Sequence, residues 1–104
     1  MDEKKVVYIV GRIKGVPKYW EAYEKAEDDI TAAGFIPLSP SRLPWDMSES
    51  KMRQLQQAMM QTADAVLFLP EWNKSTIGQV EMCLCKYLGK PYATSIEDLK
   101  EVLA

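Results

Sequence analysis

Apolar residues are spaced along this chain in two rhythms that take turns. Short unbroken runs, Val6-Val7-Tyr8-Ile9-Val10 and Ala65-Val66-Leu67-Phe68-Leu69, suit strands buried on both faces. Between them apolar residues recur every three or four positions, the period of a helix with one buried stripe. Pro17 fits the first turn of a helix whose Trp20, Tyr23, Ala26, Ile30 and Ala33 face inward, and Gly34 ends it. Phe35 to Leu38 predicts a short strand, placed at a sheet edge because Pro37 has no N–H to give a ladder. Ser39 to Trp45, with Pro40 and Pro44, reads as a surface loop. Asp46 and Glu49 form a capping box for a second helix through Ala63, with Met52, Leu55, Met59 and Ala63 inward. Asp64 opens the next strand. Ser75 caps a third helix, Thr76 to Leu88, with Ile77, Val80, Leu84 and Leu88 as its stripe. Gly89-Lys90-Pro91 ends it. Tyr92 to Thr94 is a last strand, and Ser95, with Asp98, caps a last helix.

Strand and helix therefore alternate four times. Helical crossovers force the strands parallel and place helices on both faces. The expected fold is α/β: a small Rossmann-like (flavodoxin-like) parallel sheet of four or five strands, forming one domain over residues 1–104. In such a sheet the loops after Val10 and after Leu69 emerge at the same edge, where ligands bind.

Composition narrows the function classes. With 104 residues, 47% hydrophobic and 27% charged, the chain resembles ordinary globular domains. A formal net charge of −2 and the lack of a basic run speak against a nucleic-acid polymer as partner. No apolar run is long enough to cross a bilayer, and Val6–Val10 is too short for a secretory leader, so the expected location is the cytoplasm, away from membranes. There is no histidine, and Cys83 and Cys85 are two apart on one helix, pointing to different sides. A metal site is not expected, nor is a resident cofactor.

The candidate chemistry lies in Trp72-Asn-Lys-Ser75-Thr-Ile-Gly78-Gln-Val-Glu81. Glu81 falls within the apolar stripe of its helix, and an inward carboxylate is costly if ionised and unpaired. Either neighbours satisfy it or it is there for chemistry. Across the crevice, Gly11-Arg12-Ile13-Lys14-Gly15 permits close backbone approach to a ligand, and Arg12 and Lys14 add positive charge for a phosphate or carboxylate. The loop lacks the full dinucleotide and P-loop patterns, so a turn that needs two glycines is the alternative.

Tyr8-Ile9-Val10-Gly11, Ala63-Asp64-Ala65-Val66 and Trp72-x-x-Ser75 with Glu81 six residues on resemble the nucleoside 2-deoxyribosyltransferase-like superfamily, in particular a short phage and bacterial branch. The resemblance covers residues 6 to about 94. It implies a pocket for a nucleoside or nucleotide, with Glu81 as the nucleophile that attacks the anomeric carbon. It also implies Tyr8, Gly11, Arg12, Gln56, Ser75 and Gly78 as substrate-binding positions, and a homo-oligomer. The methionines Met47, Met52, Met59 and Met60 offer an adaptable dimer surface.

The chain departs from that pattern in three places. Where the enzymes carry an aspartate that assists the leaving base, eight residues before Asp64, this chain has Gln56, which has no acidic proton to give. Ile77 stands where glycine is usual, with Gly78 one place later. Arg12 replaces the frequent proline. The resemblance thus implies an N-glycosidase or deoxyribosyltransferase, and leaves open a nonenzymatic nucleotide-binding or regulatory module, or an interaction protein in which Glu81 is merely bonded to backbone.

Overall fold

The computed structural model describes residues 3–13, 15–44 and 46–104. Four strands, β1 (Val6–Val10), β2 (Ile36–Leu38), β3 (Ala65–Phe68) and β4 (Tyr92–Ala93), alternate with helices α1 (Tyr19–Ala32), α2 (Glu49–Thr62), α3 (Thr76–Leu88) and α4 (Ile96–Val102). All strand pairs are parallel, in the order β2-β1-β3-β4. β1 and β3 hold the centre, with Val7 opposite Ala65 and Val10 opposite Phe68. β2 lies at the edge, as Pro37 requires.

The two central strands are buried on both faces because each face is roofed. Val7, Ile9 and Leu67 pack against Tyr23, Ala26 and Ile30 of α1 and Leu99 of α4. Tyr8, Val10, Val66 and Phe68 pack against Met60 of α2 and Cys85 of α3. The chain turns from one side of β1 to the other between β2 and β3, so the loops leaving β1 and β3 diverge and open a crevice.

Three helix faces differ from the periodicity reading. Trp20 is 47% exposed and stacks edge-on against Tyr19, with ring centroids 5.5 Å apart. Tyr23, Ala26 and Ile30 are buried as their spacing predicts, and Trp20 alone of the large side chains in that row turns outward. In α2 the buried row is Met52, Gln56 and Met60, whereas Leu55 is exposed. The cap of α2 is Ser48, whose Oγ accepts from Lys51 N at 3.3 Å; Asp46 lies in the preceding turn. Since Met52 and Met60 are buried within the fold itself, they are not available to a dimer surface.

In α3 the buried positions are Gly78, Glu81 and Cys85, and Val80 is 59% exposed. Gly78 sets this rotation. A Cβ there would lie 2.1 Å from the Trp72 carbonyl oxygen, so this face of the helix must press against the turn before it. Residues 81 and 85 share that face by helical spacing. Cys83 is exposed and Cys85 buried, as their spacing predicts. Among the described residues no helix is long and apolar enough to cross a membrane, and no three His, Cys, Asp or Glu side chains are grouped to hold a metal ion.

Candidate functional site

A cavity of about 360 Å3 opens at the carboxyl ends of β1 and β3. That volume lies at the small end of the ~300–1,000 Å3 typical of small-molecule sites. Gly11 and Ile13 border it from the β1 loop, and Tyr19 from the start of α1. Met52, Arg53 and Gln56 come from α2, whose first turns face the cavity and whose later turns reach the core. Ser75, Ile77 and Glu81 come from α3. Met47 and Glu49 complete the described lining.

Each α3 residue is placed by a local cause. Ser75 has extended backbone and its Oγ accepts from Gly78 N at 3.3 Å, which starts the helix. One and a half turns later Glu81 is inward, 9% exposed. Burial pushes its carboxyl up to about 7, against smaller opposing effects of the Tyr8 hydroxyl and the Arg53 guanidinium. Tyr8 Oη and Glu81 Oε2 are both shut off from solvent, and neither has a well-formed hydrogen bond among the described residues. The phenol is still near enough to favour the carboxylate. Tyr8 itself is driven well above the usual phenol range by burial and by the negative charge of Glu81.

Gly11 is held tightly from both sides. A Cβ there would come within 3.0 Å of Leu69 Cδ1 and 3.2 Å of Tyr23 Oη, so any larger residue would make these side chains give way by a few tenths of an ångström. Burial, and then the charge of Glu81, raise Tyr23 far above the phenol range, while the Gly11 amide opposes the shift. Two tyrosines and one glutamate thus lie buried near one another at the base of the cavity.

Of the residues singled out from sequence, Gly11, Gln56, Ser75 and Glu81 come together on the cavity wall. Tyr8 is fully buried behind Glu81, and Gly78 lies against the Trp72 carbonyl. Arg12 is not on this wall: it faces Glu71, with Nη1 and Oε2 3.9 Å apart. Lys14 and Trp45 lie outside the described residues. Ile77 does border the cavity, as its position beside Ser75 implies.

Arg53, Tyr19 and Met52 were not evident from the sequence. Arg53 donates through Nη1 to Gln56 Oε1 and is the cation of the described lining, beside the carboxylates of Glu49 and Glu81. The spacing of Arg53 and Gln56 (three apart on a helix) was the available signal.

The chain is thus an α/β domain, a doubly wound parallel sheet with a carboxylate-bearing cavity at its switch point. Residues 5–94 match the family described as Domain of unknown function (DUF4406), and the chain belongs to that family. Comparison with curated proteins found no match. Among solved structures, a 2-desoxiribosyltransferase from Leishmania mexicana shares the fold, with a TM-score of 0.69 over 85% of this chain at 20% identity. This chain spans 61% of the length of that protein.

Proposed function

We propose that the cavity binds a nucleoside or nucleotide and that Glu81 cleaves or exchanges its N-glycosidic bond. The observation that carries this reading is the buried, incompletely satisfied Glu81 carboxyl facing a cavity at the sheet's switch point. The fold shared with a protein named for deoxyribosyl transfer supports it.

In the proposed reaction a Glu81 carboxylate oxygen bonds to the anomeric carbon as the carbon–nitrogen bond breaks. The bonding pair leaves with the base, which takes a proton from water because the Gln56 amide has no acidic proton to give. Water then attacks the same carbon and restores the carboxylate, releasing the sugar; attack by a second base in place of water gives transfer. Burial raises the Glu81 carboxyl to about 7, so the ionised nucleophile grows, and the first step speeds up, as pH rises through that range.

A second reading rests on Gln56. At the position where the resemblance to deoxyribosyltransferases implies a proton donor for the base, this chain has an amide bonded to Arg53, which favours a module that binds nucleosides without turning them over. Incubation with deoxynucleosides and their monophosphates separates the two. Release of free base, abolished in Glu81→Gln, supports the enzyme. Ligand-induced thermal stabilisation without release supports the binding module, and neither effect with any ligand sinks both.

A further inference from the structure

We propose that Gln56 selects the ligand's base, presenting a fixed N–H donor that favours bases with an oxo group over those with an amino group at the contacted position. This rests on the reading of the cavity as a nucleoside site. A glutamine amide has one accepting and one donating end, and turning it over exchanges them. Here the choice is made by Arg53. A guanidinium carries five N–H donors and no acceptor, so only Oε1 of Gln56 can face it. Its Nε2 must then point elsewhere.

The surroundings indicate where. Gln56 is 5% exposed and lines the cavity. Nε2 has no hydrogen-bond partner among the described residues, yet it is not among the polar atoms shut off from solvent without one. It therefore keeps some contact with solvent, on a residue that lines the cavity, and no described acceptor takes its protons. A ligand carbonyl oxygen meets these protons, whereas a ligand amino group sets donor against donor and leaves a part-buried pair unsatisfied. Arg53 thus acts as a positioning residue and Gln56 as the selecting one.

Two matched pairs provide the test: deoxyinosine against deoxyadenosine, and deoxyuridine against deoxycytidine. Within each pair an oxo group replaces an amino group and the neighbouring ring nitrogen changes from an acceptor to an N–H donor, so a contact to the exocyclic group favours the oxo member and a contact to the ring nitrogen favours the amino member. Dissociation constants from calorimetry with the natural protein are expected to favour the oxo member of at least one pair by about tenfold, the effect of one hydrogen bond made or lost. Arg53→Met frees the amide to turn over, and the preference should shrink to within about twofold. Gln56→Glu keeps a bond to Arg53 but offers an acceptor, and should move the preference toward the amino member. Equal binding of both members of each pair by the natural protein, or a preference for the amino member, would overturn the assignment while leaving the nucleoside site standing. A preference that survives unchanged in Arg53→Met and Gln56→Glu would overturn it too, since another residue then selects. If none of the four nucleosides or their monophosphates binds, the nucleoside reading itself fails and the selection goes with it.

Discussion

At the residue scale, Glu81 carries opposing demands. Its native-state pKa of about 7 lies above the ordinary carboxyl value of 4.5, so the folded protein holds this proton more tightly than the unfolded chain. The resulting contribution to stability is complete below pH 4.5 and is lost as pH rises through 7. The shift corresponds to roughly 3 kcal/mol over that window. In Glu81→Gln, a neutral side chain of the same shape, this component should vanish. Urea unfolding of both proteins between pH 4.5 and pH 8.5 measures it: the difference in stability should tilt toward the variant as pH rises. Parallel profiles would show that Glu81 is not desolvated as described. Gly78 makes a sterner demand. A methyl group there meets a main-chain oxygen that cannot swing aside, so Gly78→Ala should cost about 3 kcal/mol, the upper part of the overpacking range. A loss under 1 kcal/mol would mean that α3 can turn on its axis without penalty.

At the scale of elements, α2 is held at its far end by another helix's connection. Lys90, in the turn between α3 and β4, donates to the Gln61 carbonyl at 2.9 Å and the Ala63 carbonyl at 2.7 Å. The last carbonyls of a helix have no partner within it, and a cation there is favourable. Lys90→Met is expected to lower stability by about 1–2 kcal/mol and to raise hydrogen exchange at the end of α2; unchanged exchange there would remove this brace from the account. The element order, the parallel pairing and the caps at Ser75 and Ser95 were legible in the sequence, because apolar period and cap chemistry are local. Helix rotation was not. Val80 and Leu55 look like core residues by spacing, but the Trp72 carbonyl turns α3, and the cavity replaces core beside the first half of α2. For the same reason Glu81 and Gln56 proved more central than their polarity suggests, and Arg12, legible as a cation near the β1 loop, is drawn to Glu71 instead.

At the scale of the molecule, strand order makes the cavity a joint possession. The segment through β2 supplies Gly11, Ile13 and Tyr19, and the segment from α2 onward supplies Arg53, Gln56, Ser75 and Glu81. The boundary between them passes through the loop that carries exposed Pro44. A chain opened at Pro44 therefore becomes two pieces, each with half of the wall, and a small molecule that needs both halves works as a coincidence detector for their reunion. At a ligand concentration of 100 Kd, association of the pieces should tighten about 100-fold, because only the joined form binds. Titration of one labelled piece with the other, with and without a nucleoside that the intact protein binds, reads this directly. If the ligand left the association unchanged, one piece alone would hold the whole site.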